Sequence, residues 1–521
     1  MENHTPNVTI AESGQGKTIS RFREMLPQVL ASIACNFVLL DLNLSLAYPT
    51  ILIAQLAWLD AAQASWLGSI AYICQPVGSL CSGVLVEWLG RKRFMLLLNL
   101  PFLLGWVLMA TAPSYAVLCL ACVIVGITIG LTEAPINSYI GEVCRPGLRG
   151  NMTACAGVFY QCGFFIEYLL GSLTDWRTAA GISASIPIFT AIYMAMVPEA
   201  PIWLVSKGRI QDAEKALCWL RGWVEPSAVK EELSDLVRYH EETKLLLSSS
   251  PPKIQGQTAY VNSAFVAETG AETKDSQTVV TVTEPTGGGR ECCGRRIETL
   301  DRIRDLLRPP TLRPLLLVIP FFFFVHFSGL TSIRPFMVHV FEKFHMPISG
   351  EWATVVSGGC GIVGTVFMMC SVQRLGKRPL SLACTAGSAL SALLLATYAL
   401  VTGDAVTAPW VPLLLFVVLS FCNSIVGQMP WMLLSEVFPF RTRGLSGGVS
   451  AAGCYVFLFL SSKTFLDMER DLQLYGAFFF YGTISCIGVV FLYFRLLETE
   501  GKSLEEIERH FTEGRSAWRR M

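Results

Sequence analysis

Charge is what this chain has least of. Only 15% of its 521 residues are Asp, Glu, Lys or Arg, against about 25% in an ordinary soluble domain. Forty basic residues are balanced by 40 acidic ones, so no overall field draws polyanions, and nucleic acid is excluded as a partner. Histidine is scarcer still, with six in the whole chain. That is too few for a clustered zinc site, and no metal or other cofactor is expected. Nothing pairs a nucleophile with a base or sets a phosphate loop between a strand and a helix, so the chain does not read as an enzyme. The first 20 residues also lack the basic run, short apolar stretch and cleavage site of a secretory signal.

What is there is apolar. Hydrophobic residues make up 52% of the chain, the mean hydropathy is +0.49, and the class this leaves is a polytopic membrane protein. A helix needs about 20 mainly apolar residues to cross the hydrocarbon core. Twelve stretches qualify: 26–48, 64–85, 94–113, 115–140, 152–172, 179–197, 314–338, 352–372, 379–402, 409–434, 445–465 and 472–495. The 17 cysteines lie mostly inside these stretches, where a thiol packs as a small hydrophobe. The short loops after spans 2, 4, 8 and 10 carry Arg91, Lys92, Arg93, Arg145, Arg149, Arg374, Lys377, Arg378, Arg441 and Arg443. By the positive-inside rule that face is cytoplasmic, and an even number of spans puts both termini there.

The expected organisation is a cytoplasmic tail (1–25), a six-helix half (26–197), a charged cytoplasmic linker (198–313), a second six-helix half (314–495) and a cytoplasmic tail (496–521). The linker holds 33 of the chain's 80 charged residues. Its ends carry helical apolar stripes, Ala213, Ala216, Leu217 and Leu220 at one and Ile297, Leu300, Ile303, Leu306 and Leu307 at the other. Between them 246–290 is rich in Ser, Thr and Gly, without period, and reads as a disordered insert.

Acid–base signatures recur between the halves. Glu142, Arg149 and Gly150 after span 4 are matched by Glu436, Arg443 and Gly444 after span 10. Gly90-Arg91-Lys92 after span 2 is matched by Gly376-Lys377-Arg378 after span 8, and Glu199 after span 6 by Glu498 after span 12. Three signatures at nearly constant offset indicate two homologous halves, related by an axis along the membrane normal, with a site between them near the midplane.

These motifs resemble those of the sugar porters of the major facilitator superfamily. The segments VLVEWLGRK (84–92), YIGEVCRPGLRG (139–150), PEAPIWL (198–204), QRLGKRPL (373–380), GQMPWMLLSEVFPFRTRG (427–444) and LETEGKSLEEIE (497–508) carry the likeness. SKGRIQDAEKALCWLRG (206–222) is similar to the insect facilitated trehalose transporter-like subgroup. The resemblance implies an all-α bundle of twelve membrane helices, monomeric in function, in the plasma membrane. It also implies facilitated transport of trehalose, a hexose or another sugar-like solute by alternating access.

It further implies an inner latch of ion pairs between the halves in the outward-facing state, drawn from Glu142, Arg149, Glu436, Arg443, Glu199, Glu498, Arg91 and Arg374. The sugar-binding Gln and stacking Trp of the family correspond to Gln161 and Trp431, with His326, Ser328, Thr331 and Asn423 as further candidates. The chain departs from the pattern where QQxSGIN becomes Val325-His326-Phe327-Ser328-Gly329-Leu330-Thr331, where Asn-Trp becomes Cys454-Tyr455, and where an Arg of span 4 becomes Cys122. Losing those amides opens the substrate question to polyols and modified sugars. Asp41, Glu133, Glu167, His326 and Arg334 are intramembrane ionisable groups and so functional candidates, with Asp41 and His326 the candidates for proton coupling. Two alternatives to facilitation stay open: a proton symporter, and a sugar sensor signalling through the linker.

Overall fold

The computed structural model describes residues 21–248, 306, 308–403, 408–438, 443–502 and 504–513. Every regular element among them is helical. The first half is built from α1 (Arg21–Gln55), α2 (Ala61–Leu89), α3 (Arg91–Thr111), α4 (Tyr115–Val143), α5 (Pro146–Leu173), α6 (Trp176–Ser183) and α7 (Ser185–Met196). Three short helices follow: α8 (Pro201–Ser206), α9 (Ile210–Leu220) and α10 (Pro226–Ser248). The second half holds α11 (Pro309–His326), α12 (Leu330–Ile333), a 3-10 turn at Arg334–Phe336 and α13 (Met337–Lys343). It continues through α14 (Gly350–Leu375), α15 (Lys377–Thr402), α16 (Trp410–Glu436) and α17 (Arg443–Arg495), with α18 (Leu504–Glu513) trailing.

Eleven helices among the described residues are long and apolar enough to cross a membrane. They give twelve crossings, because α17 is two helices joined at Gln473, where φ is 61°. The sixth crossing, Trp176–Met196, passes from α6 to α7 through Ala184, whose backbone stays helical (φ −59°, ψ −20°). One expected span is broken. The seventh stops at His326, and Gly329, with φ of 103°, starts the irregular stretch that carries the chain into α13. Backbone that leaves the helix at membrane depth must be buried in protein, and Phe327, Ser328, Leu330, Thr331, Ser332, Ile333 and Phe336 are all buried.

The start of α1, helices α8–α10 and α18 share one face of the bundle, here the terminal face. Arg23 Nε donates to the Gly222 carbonyl (3.1 Å), Trp203 Nε1 to the Glu87 carbonyl (3.0 Å), and Arg313 Nη1 to the Phe511 carbonyl (2.7 Å). The apolar stripe expected in the linker is the face on which α9 docks, with Ala213, Ala216, Leu217 and Leu220 buried. α10 runs to Ser248, into the start of the expected insert. The rest of that insert and most of the second stripe lie outside the described residues.

The two halves meet on the opposite, far face. One continuous core joins Tyr48, Leu67 and Tyr168 of the first half to Phe336, Met337, Phe341 and Phe465 of the second. Towards the terminal face it divides. Leu317, Phe321, Met368, Ile425, Leu433, Ala451 and Leu492 form a separate core, wholly within the second half. The fifteen described cysteines are free thiols.

Candidate functional site

Among the described residues the charged motifs of the terminal face act inside each half, and the two halves do it alike. α3 begins directly after Gly90, and α15 directly after Gly376. A glycine offers no side chain to cap the unpaired amides of a first helical turn. A carboxylate from elsewhere supplies the cap. Glu199 accepts from the Lys92 amide (2.8 Å) and the Arg93 amide (3.3 Å). Glu498 accepts from the Lys377 amide (3.0 Å) and the Arg378 amide (2.9 Å). Both glycines have positive φ, 94° and 82°, and a Cβ there would lie 2.7 Å from Glu199 Oε2 or 2.5 Å from Glu498 Oε2. The turn is glycine because the carboxylate occupies the space of a side chain, and because an L-residue resists that backbone. Partial burial raises the Glu498 carboxyl, but the amides of Glu500, Arg378, Lys377 and Thr499 outweigh it and hold the group below its ordinary value.

The first residue after each glycine then binds the acid at the end of the fourth or tenth crossing. Arg91 reaches Glu142 Oε1 through Nη2 (2.7 Å) and Nε (2.9 Å). Lys377 Nζ reaches Glu436 Oε1 (2.5 Å) and Glu500 Oε2 (3.1 Å). In both acids the second oxygen, Oε2, is buried and has no hydrogen-bond partner among the described residues. Arg149 lies in the first turns of α5 and Arg443 opens α17, but both side chains fall outside the described residues. Arg374 is exposed. Sequence reasoning left out Lys377, which makes in the second half the contact that Arg91 makes in the first; the Gly376-Lys377 pair was the available signal. It also missed Arg221, whose guanidinium binds Glu232 and reaches the Val143 carbonyl (3.4 Å), tying α9 and α10 to the end of α4.

The far face carries the polar side-chain contacts between halves that the described residues make. Lys463 Nζ donates to Ser65 Oγ (3.0 Å), and that hydroxyl donates to the Lys463 carbonyl (2.9 Å). The Lys463 ammonium lies 4.3 Å from the Trp66 ring centre. Ser462 Oγ donates to the Gly68 carbonyl (3.2 Å), and Thr50 Oγ1 to the Arg334 carbonyl (2.8 Å). On the terminal-face side, a Cβ added at Gly141, Gly427, Gly447 or Gly448 would meet nothing within 4 Å.

Between the two faces lie the candidate binding residues. Gln161 is buried on α5, and its Nε2 would lie 2.2 Å from a Cβ at Gly361 of α14. Across from it, Asn423 Nδ2 donates to Ser328 Oγ (2.6 Å), which in turn donates to the Val325 carbonyl (2.7 Å). His326 Nε2 shares a hydrogen bond with Cys454 Sγ (3.1 Å), and its ring stacks parallel to Phe322 at 6.1 Å. Trp431 meets the edge of Phe322 at 5.0 Å and leans on Tyr455 at 6.4 Å. Trp431, His326, Ser328 and Asn423 therefore line one region of the second half, with Thr331 buried in α12 beside it. The arrangement suits a polyhydroxylated solute, with aromatic faces for C–H surfaces and amide and hydroxyl groups for hydroxyls.

The intramembrane acids point elsewhere. Asp41 Oδ1 accepts from Trp106 Nε1 (2.8 Å), and Glu167 Oε2 from Ser183 Oγ (2.8 Å). Both are sealed inside the first half. The Glu133 side chain lies outside the described residues.

Comparison with known proteins follows the same geometry. The family profile described as sugar (and other) transporter matches residues 36–265 and 295–511. The chain is 28% identical over 449 residues to the facilitated trehalose transporter Tret1 of Culex quinquefasciatus, covering 85% of this chain and 77% of that one. It is also 28% identical over 494 residues to the facilitated trehalose transporter Tret1 of Polypedilum vanderplanki, covering 92% and 87%. Among solved structures, the inward open conformation of the xylose transporter XylE from E. coli superposes with a TM-score of 0.68 at 17% identity, covering 92% and 98%. A profile that matches both halves, on a bundle of twelve crossings with repeated acid–base turns, makes this chain a member of the sugar (and other) transporter family.

Proposed function

We propose that the protein is a facilitative carrier for a small sugar or sugar-like solute, working as a monomer in the plasma membrane by alternating access. The terminal face is cytoplasmic, as the basic short loops argue. The conformation described is then inward-facing, with the far-face contacts as the closed outer gate. Each half is riveted within itself by a Glu–base pair and a carboxylate cap, so it moves as a unit. Trehalose or a hexose is the default solute, bound between Gln161 and the Trp431–His326–Asn423 region.

The observation that carries this reading is the matched pair of buried oxygens, Glu142 Oε2 and Glu436 Oε2, which have no hydrogen-bond partner among the described residues. Arg443 and Arg149 belong to the half opposite each acid. When the inner face closes, that oxygen of each acid takes the arginine of the other half, and the latch forms without dismantling the rivets. Labelled-sugar counterflow in proteoliposomes tests the function. Exchange supports a carrier; saturable binding with no exchange would make the protein a sensor. Uptake against a gradient that collapses with a protonophore would make it a symporter.

A further inference from the structure

Arg334 is a charged residue that the rivets and gates leave unexplained. It sits in the 3-10 turn that interrupts the seventh crossing and is half-buried. Only its carbonyl contributes to the far-face seal, through Thr50. Its guanidinium lies 4.2 Å from the Phe164 ring centre. Three tyrosines, Tyr160, Tyr168 and Tyr72, lie near enough to act on its charge. Tyr160 and Phe164 flank Gln161 on α5. The guanidinium therefore reaches from beneath the outer gate to the level of the binding region. Among the described residues no carboxylate pairs with it, and Asp41 and Glu167 are engaged by Trp106 and Ser183.

A guanidinium at membrane depth with no counter-charge is expensive, and aromatic faces offset it only partly. A solute that brings its own anion completes the site, because the planar fork matches a carboxylate in two parallel hydrogen bonds. A second observation points the same way. His326, near enough to Arg334 to feel its charge, keeps a buried Nδ1 with no hydrogen-bond partner among the described residues. Resting on the carrier reading above, we infer that the solute is an acidic sugar of the uronate class, with Arg334 as the residue that reads its carboxylate.

The test uses the full chain in proteoliposomes with labelled D-glucuronate, D-glucose and trehalose. Glucuronate is expected to exchange at least tenfold faster than either neutral sugar. A potassium diffusion potential, positive inside, should raise its net uptake and leave glucose uptake unchanged. R334Q should lower the glucuronate-to-glucose ratio at least tenfold, and R334K, which keeps the charge and loses the fork, should keep only part of the preference. Exchange of neutral sugars with no selection for the acid overturns the assignment of Arg334 and leaves the carrier standing. An R334Q variant that slows both solutes alike overturns it too, reducing Arg334 to a strut of the outer gate. Absence of exchange for all three overturns the carrier reading itself.

Discussion

Neutralising the two latch acids is the sharpest perturbation of the inner gate. The double variant E142Q/E436Q keeps side-chain volume and removes the charge that both rivet and latch use. The side chains of Glu142 and Glu436 are 14% and 25% exposed. Leaving a buried carboxylate oxygen unpartnered costs about 1–3 kcal/mol, and a solvated ion pair returns only about 0–1 kcal/mol. Taking about 1 kcal/mol for each acid, closing the inner face gains about 2 kcal/mol from the two pairs, or about 30-fold in population. Spin labels at Trp88 and Leu445, both exposed and on opposite halves, would report the terminal-face distance by pulsed electron resonance. E142Q/E436Q should move the population to the longer distance by about that factor. The variant R149Q/R443Q, which leaves both rivets intact, should do the same. A distance distribution unchanged in both variants would refute the latch. A shift in the first alone would show that the rivets, not contacts between halves, set the balance.

Three further outcomes follow from the same geometry. G90A and G376A each force an L-residue into positive φ and against a carboxylate, so each should cost about 1–3 kcal/mol, read as a lowered melting temperature in detergent. Glu498 is held below its ordinary value, so its contribution to stability is fully present above about pH 4.3 and is lost as pH falls through the folded value. The melting gap between the native protein and E498Q should therefore be widest near neutral pH and narrow in acid; a gap that widens in acid would contradict the capping role. Q161A removes an amide hydrogen bond worth about 1.5 kcal/mol, so half-saturation in counterflow should rise about tenfold. An unchanged value would leave Gln161 as a helix-packing residue.

The architecture was readable because membrane crossings obey length and hydropathy, and because the two halves carry the same short acid–base turns. The paired glutamates were readable for the same reason. Their partners were not, since sequence gives the spacing along a helix and not which helix end lies beside it. Arg91 and Glu142 meet across 51 positions within one half, which looks no nearer in sequence than a contact between halves. The break in the seventh crossing had only Gly329 and Arg334-Pro335 as faint signals. The arginine beneath the outer gate was visible only as an ionisable residue in an apolar run, until Phe164 and Tyr160 placed it at the level of Gln161.

Rocking of two halves about a shared site requires the far-face seal to open in every cycle. Ser65 and Lys463 stand on opposite halves of that seal, with Ser65 Oγ 2.9 Å from the Lys463 carbonyl. Joining them as S65C/K463C under oxidising conditions is the most direct test. The account predicts that sugar exchange stops when the bond forms and returns on reduction. Exchange at the full rate with the cross-link complete would contradict it.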